Sequence, residues 1–306
     1  MESNVAANSG TFSWGGGLYV VGSGAGINSD VIISNCIVRS NAVAVGNYIY
    51  GGGLCVNLVR TLIYGCIIEN NYARDGGAAI ISVGSSTAKQ ITIIENSVIR
   101  SNVISSVGAN FGGNAIYSYS GSSLIMRNCL VYNNFGGPRG GAIYHLDEGT
   151  PYNFPITNFI ENCTIVSNTA SSGGAIYEQD VSNRIWVIVN SIITSNYAGG
   201  NLNNFYLLSG VNNVIIISNS CVNPTNAIGG KVEVTNSITN SPMFVSYTGQ
   251  DFHLERGSAC IDSGMILDWH SGASDLDGSR RVDVISGKPD MGCYEYTPPI
   301  TLITVE

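Results

Sequence analysis

Two short phrases, Tyr144-His145-Leu146-Asp147-Glu148 and Tyr177-Glu178-Gln179-Asp180, each follow the letters GGAI and bring carboxylates, an imidazole and phenol rings together. Carboxylates held on one face can act as acid and base, or as acid and nucleophile, toward a glycosidic bond. Tyrosine rings beside them can stack on sugar rings. Glu178, Asp180 and Asp147 are therefore the candidate catalytic residues, and Tyr117, Tyr144, His145 and Tyr177 the candidate carbohydrate contacts. The three lysines of the chain, Lys89, Lys231 and Lys288, all lie away from these phrases, so no basic partner is in sight. The same residues also read as solvated turns beside an aromatic ladder, and that reading carries more weight.

A second cluster, Asp275-Leu276-Asp277-Gly278, places two carboxylates in a tight turn. With Asp262 and Asp290 nearby, and Glu295 beyond, this is a candidate Ca²⁺ site, Ca²⁺ being the one cofactor the sequence suggests; the spacing of an EF-hand is absent. The competing expectation is structural: the aspartates shape a turn and pair with Arg280 and Arg281 in a cap over the open end of the fold. The cap is the stronger of the two. Of the eight cysteines, Cys36, Cys66, Cys129 and Cys163 share one repeat position that Ser97 and Ser191 fill elsewhere, as expected for a packing column of reduced thiols. Cys55 and Cys221 are expected to be free as well, and no C-x-x-C or His pairing suggests a metal.

What must position these groups is a repeat. An Asn phrase recurs as NCIVRSN from Asn35, GCIIENN from Gly65, NSVIRSN from Asn96, NCLVYNN from Asn128, NCTIVSN from Asn162 and NSIITSN from Asn190, fading through Asn219 and Asn236. A glycine phrase recurs as GGGLY at 15–19, GGGLC at 51–55, GAAII at 77–81, GNAIY at 113–117, GGAIY at 140–144 and GGAIY at 173–177. Before each Asn phrase stands a short apolar, β-branched run, such as VIIS at 31–34 or VIIIS at 214–218. A period near 30 residues with three short strands per repeat, and no sustained 3.6-residue period, predicts parallel stacking into a coil. The predicted fold is all-β: a single-stranded right-handed parallel β-helix over residues 1–240, a solenoid of about eight coils and roughly 40 Å long.

Alternation along each strand predicts two interior columns. One is Leu18, Leu54, Ile80, Ile116, Ile143 and Ile176; the other is Ile33, Ile63, Ile94, Met126, Ile160, Ile188 and Ile217. The same alternation places Tyr19, Tyr117, Tyr144 and Tyr177 on the outer side of the glycine strand. The asparagines fall at the bends, where they tolerate left-handed backbone and can bond to the next coil.

Composition narrows the partners. A net charge of −8 and a pI near 4.8 argue against nucleic acid and anionic membranes. No apolar run reaches the ~18–20 residues of a membrane span. The opening MESNVAANSG lacks the basic and apolar regions of a secretory leader, which leaves a cytoplasmic protein or a mature secreted chain. A surface rich in Asn, Ser and Gly favours a secreted or cell-surface protein.

Residues 241–296 break the period. Their phrases are Pro242-Met243-Phe244-Val245, Asp251-Phe252-His253-Leu254, Gly257-Ser258-Ala259-Cys260-Ile261-Asp262-Ser263-Gly264, Asp275-Leu276-Asp277-Gly278 with Arg281, and Asp290-Met291-Gly292-Cys293-Tyr294-Glu295. In their order they resemble the C-terminal region of secreted right-handed β-helix proteins with a "choice-of-anchor Q" type domain. The glycine phrases and FIEN at 159–162 are more faintly similar to polymorphic outer-membrane protein repeats. The first resemblance implies a β-helix at the cell surface and no particular activity. Lyases and hydrolases of polysaccharides on such a fold work on the outer face of the parallel sheet, but the acidic and HG-type motifs of pectin hydrolases are missing here. Cys260 and Cys293 occupy paired phrases of this one segment, and in an oxidising compartment they are expected to form a disulfide.

The functional expectation is a scaffold for adhesion, carbohydrate or protein binding, or self-assembly, without catalysis. Its alternatives are a polysaccharide lyase or glycoside hydrolase on the tyrosine face, and a head-to-tail filament subunit. Residues 297–306 form a tail in which the alternating stretch 300–305 follows Pro298-Pro299 and is expected to add as a strand, either to its own sheet or to a neighbour's. Partners would be polysaccharide, surface proteins, or further copies meeting through the open ends of the helix.

Overall fold

The structure, a computed structural model, describes residues 1–7, 12–22, 30–45, 48–85, 90–105, 111–147, 156–179, 184–208 and 212–298. The predicted Asp180 and the tail stretch 300–305 lie outside them. Three parallel sheets run the length of a β-solenoid. The glycine-phrase sheet has eight strands, from Leu18–Val21 through Ile143–Leu146 and Ile176–Gln179 to Ala227–Ile228. The apolar-run sheet also has eight, from Asp30–Ser34 to Lys231–Thr235, and the Asn-phrase sheet has seven, from Ile37–Arg39 to Cys221–Asn223. Short strands such as Tyr72–Ala73 form part of a fourth side. A three-residue 3-10 turn, Asp268–His270, is the helical element among the described residues. None of them forms a helix long and apolar enough to cross a membrane.

Register is in step along the three long sheets. Ile143 pairs with Ile176, Tyr144 with Tyr177, and Ile94 with Met126, so like positions stack coil upon coil. Both predicted interior columns belong to one apolar core, in which Ile63, Ile94, Met126, Ile160, Ile188 and Ile217 are fully buried. Removing such a side chain to Ala costs about 2–5 kcal/mol in a close-packed interior.

The connection between the apolar run and the Asn phrase is two residues long in every coil. Its first residue is an Asn with left-handed backbone (Asn35 φ 50°, Asn96 φ 49°, Asn128 φ 54°, Asn162 φ 48°, Asn190 φ 51°) or Gly65 at φ 62°. Asn and Gly are the residues for which that conformation is cheapest. The second residue is the Cys/Ser position. Ser97 Oγ donates to Glu95 O at 2.8 Å and Ser191 Oγ to Val189 O at 2.9 Å. Cys129 Sγ reaches Arg127 O at 3.1 Å and Cys163 Sγ reaches Glu161 O at 3.3 Å. Cys and Ser interchange because both can donate back to the carbonyl two residues earlier.

The asparagine that closes each phrase forms a buried ladder. Each Nδ2 donates to the Oδ1 one coil on: Asn41 to Asn71 at 3.0 Å, Asn71 to Asn102 at 3.0 Å, Asn102 to Asn134 at 2.9 Å, Asn134 to Asn168 at 2.9 Å and Asn168 to Asn196 at 3.0 Å. Each of these backbone N–H groups meets the same oxygen as its own side chain, as Asn102 N does with Asn134 Oδ1 at 3.0 Å. Every amide oxygen is thus doubly used.

The sequence suggested a cap for the non-repeating C-terminus, and its described residues make contacts of another kind. The segment lies along the flank, on the outer side of the Asn-phrase sheet. Phe252, Leu276, Cys293 and Tyr294 pack on Leu130, Tyr132 and Val166. Leu254, Cys260 and Met291 pack on Ile192 and Cys221. The Asn-phrase sheet presents an apolar outer face here, and burying that stripe holds the segment to the flank.

Candidate functional site

The structure divides the predicted site residues between two sides of one strand. Ile176, in the interior column, fixes the alternation, so Tyr177 faces outward and Glu178 faces inward. Glu178 is fully buried, and Trp186 Nε1, itself within the core, donates to its Oε2 at 2.8 Å. His145 lies one coil below on the same inward side, beside Arg184; burial first, and Arg184 second, hold its imidazole well below its ordinary value. Arg184 Nη1 donates to Ser122 O at 2.9 Å, and Ser122 Oγ in turn bonds Ser82 Oγ, which meets Thr92 Oγ1 at 2.8 Å. The result is a polar seam inside the solenoid. Asp147 is also buried. Glu178 and Asp147 are not solvent-facing carboxylates, and a pair assembled from them has no access to a polymer.

The tyrosines are also not as expected. Tyr117, Tyr144 and Tyr177 do lie on the outer side of the glycine-phrase sheet, but they are buried, with at most 6% exposure. They stack upon one another: Tyr117 on Tyr144 at 5.1 Å, Tyr144 edge-on to Tyr177 at 5.5 Å, and Tyr177 on Tyr206 at 4.3 Å. Arg139 lies over Tyr177 at 5.1 Å, while Tyr144 Oη donates to Gln179 Oε1 at 2.9 Å. Burial raises the Tyr177 phenol to about 12, with Arg139 pulling the other way. These rings form a second core and have no free face for a sugar.

The C-terminal carboxylates hold backbone. Asp275 Oδ1 accepts from Asp277 N at 3.0 Å and Ser279 N at 2.7 Å, and its Oδ2 from Glu295 N at 2.8 Å. Asp290 Oδ1 accepts from Asp262 N at 2.7 Å and its Oδ2 from Tyr296 N at 2.6 Å. Asp262 accepts from Ser286 Oγ, and Asp277 Oδ2 meets His253 Nε2 at 2.7 Å. Among the described residues, no three acidic, His or Cys side chains converge as a metal site would require. At the centre of the segment, the fully buried Arg281 pairs with Glu295 at 2.7 Å and donates to the carbonyls of Gly292 and Cys293.

The expected Cys260–Cys293 disulfide is not formed. All eight cysteines are free, and these two belong to different packing clusters, Cys260 beside Cys221 and Cys293 beside Leu130 and Val166. The two phrases do meet, Met291 N donating to Cys260 O at 3.0 Å, but Cys260 packs on Cys221 while Cys293 N is held by Thr164 Oγ1 at 3.2 Å.

Sequence reasoning missed a cleft where aromatic rings and hydrogen-bonding groups meet. It measures about 290 Å³ and opens between the C-terminal segment and the outer side of the apolar-run sheet, lined by Tyr64, Glu95, Asn96, Arg127, Trp269 and Ser274. Tyr64, Glu95 and Arg127 stack in register on successive strands, and Glu161 follows them. Arg127 bonds Glu161 at 2.8 Å and Glu95 at 3.1 Å and lies 5.9 Å from the Trp269 ring. Trp269 Nε1 is buried without a hydrogen-bond partner among the described residues. The alternating Glu-Arg-Glu column was readable at 95, 127 and 161; its meeting with Trp269 was not, because that contact is made across non-repeating chain. No family model matches the chain, and no curated protein or solved structure matches it.

Proposed function

We propose that the protein is a non-catalytic β-solenoid scaffold of the cell exterior, whose flank cleft takes a single sugar residue of a glycan. The observation that carries this is the division of chemistry just described. The carboxylates of the glycine strands lie inside the coil, while Tyr64 and Trp269 offer ring faces at the surface beside Glu95 and Asn96. A pyranose between two aromatic faces, with its hydroxyls meeting a carboxylate and an amide, is a common solution to carbohydrate binding. The Glu95-Arg127-Glu161 column sets two carboxylates against one guanidinium, and its residual negative charge favours an uncharged sugar over an acidic one. Placement outside the cell rests on the C-terminal resemblance and on the Asn-, Ser- and Gly-rich composition.

The test is a titration of the intact chain with a panel of neutral and acidic oligosaccharides, followed by Trp fluorescence and calorimetry. A neutral glycan is expected to bind, with Trp269→Ala and Tyr64→Ala each weakening binding at least tenfold and no reducing ends or unsaturated products appearing. Binding indifferent to both substitutions, or product release that Glu178→Gln abolishes, overturns the reading.

A further inference from the structure

Cys221 and Cys260 come from different parts of the molecule and meet. Cys221 begins the last strand of the Asn-phrase sheet, Cys221–Asn223, and Cys260 belongs to the flanking segment. Both are fully buried in one cluster with Ile192, Leu254 and Met291. The two thiols lie within hydrogen-bond reach of each other, and Cys221 Sγ also reaches Asn240 O at 3.2 Å. We propose that this pair is an oxidisable latch: a Cys221–Cys260 disulfide that fastens the C-terminal segment to the last coil.

Geometry sets this pair apart from the other thiols. Cys129 and Cys163 are neighbours in one column, on adjacent parallel strands, where the ~4.8 Å strand spacing holds parallel Cβ atoms beyond the ~3.8 Å that a disulfide prefers. Cys55 packs among the tyrosines, and Cys293 N meets Thr164 Oγ1 in a separate cluster. Cys221 and Cys260 instead face each other across a packing interface. Cys260 is the better nucleophile: the Cys221 hydrogen bond, and after it that of Ser258, lower its thiol against the opposing effect of burial.

The reaction is thiol–disulfide exchange with a small-molecule disulfide such as oxidised glutathione. The Cys260 thiol gives its proton to solvent, and its thiolate attacks one sulfur of the oxidant and expels the other as a thiolate. The Cys221 thiolate then attacks the Cys260 sulfur and releases the second small thiol. Two protein thiols become one disulfide, and the two electrons reduce the oxidant to two thiols. Because both sulfurs are buried, exchange requires transient lifting of the segment, and reduction of the finished bond is slow for the same reason.

The intact chain would be refolded, and separately incubated in its folded state, with oxidised glutathione, then alkylated and mapped without reduction. A linked peptide pair containing Cys221 and Cys260, a mass lower by two hydrogens and a melting midpoint higher by about 5 °C are expected. Cys260→Ser abolishes the link and the shift, while Cys293→Ser leaves both. A Cys260–Cys293 link, or separate alkylation of Cys221 and Cys260 after refolding in oxidant, overturns the proposal. The map of the unsubstituted chain decides the matter even where a serine variant folds poorly.

Discussion

Two columns of asparagine recur with the same period in this molecule, and they divide their hydrogen bonds differently. The column at 41, 71, 102, 134, 168 and 196 is turned into the coil, where each amide bonds the next and none is left for anything else. The column at 128, 162 and 190 stands at the two-residue corner with its amides outward, and the C-terminal segment uses them. Asn128 Nδ2 donates to Ser274 O at 3.0 Å, and its Oδ1 accepts from Arg281 Nη2. Asn162 Nδ2 donates to Asp290 O at 3.1 Å, and its Oδ1 meets His270 Nε2 at 2.9 Å. Asn190 exchanges two bonds with Met265, at 2.7 Å and 2.8 Å. The inner column joins coil to coil alone; the outer one keeps the coil-to-coil bonds of Asn128 to Asn96 at 2.6 Å and Asn190 to Asn162 at 3.2 Å, and adds a joint to chain that does not repeat.

Separating the two roles gives predictions of decreasing size. Arg281→Ala strips the buried donor from Asn128 Oδ1, Glu295 Oε1 and the carbonyls of Gly292 and Cys293, so the segment should lose about 4 kcal/mol of docking stability. Hydrogen exchange should then show 241–296 opening while the ladder amides stay protected. Asn134→Ala should cost about 3 kcal/mol and act on the coils themselves, because it strips buried partners from Ile99 O and Asn168 Oδ1. Its signature is a lower urea midpoint of the whole solenoid. Equal loss of ladder protection in both variants would show that the two columns do not act separately.

The smallest expected effect is pH dependence. Burial lifts Glu295 from its ordinary 4.5 to about 8, against the pull of Arg281. The folded chain therefore keeps a proton that the unfolded chain has released, and stability falls as pH rises through that range. His253 is raised as well, since Asp251 and Asp277 together outweigh the opposing effect of burial; its contribution is likewise lost as pH rises. Below pH 6.5 the opposite sign enters. His270, pushed down to about 4 by burial and then by Arg281, must be charged against its environment as the medium acidifies. Asp290, raised by burial to about 6, works the other way there. His270 and Asp290 roughly offset each other, so the Glu295 slope remains and segment docking should weaken by about 1 kcal/mol per pH unit from pH 5 to 8. Denaturation followed by Trp269 fluorescence across that range measures it, and Glu295→Gln should flatten the slope.

The coil was legible from residues because a repeat states the same fact many times. Any one of Ile63, Ile94 or Ile160 is weak testimony to an interior column, but together they leave little choice. The orientation of Glu178 was also readable: if Ile176 points in and Tyr177 out, the next residue points in. Charge and aromatic neighbours suggested a site where alternation denied one. The burial of Tyr144 and Tyr177 was not readable, since alternation assigns a side of the sheet but not what that side packs against. Contacts made by 241–296 were beyond reach for a different reason. Cys260 against Cys221, and Trp269 against Arg127, arise once each, between chain that repeats and chain that does not.

The two-residue corner has one more consequence. Asn128, Asn162 and Asn190 stand on successive coils, so the flanking segment grips the solenoid at intervals of one layer, about 4.8 Å. It behaves as a gauge laid against a stack, and its marks match the layer thickness rather than the number of residues in a layer. The loops at the other corners can lengthen or shorten without disturbing the fit, and coils ahead of Tyr64 can multiply or vanish unnoticed. A single residue inserted after Val189 or Glu161, however, would push one mark out of line and leave the gauge reading against the wrong rung.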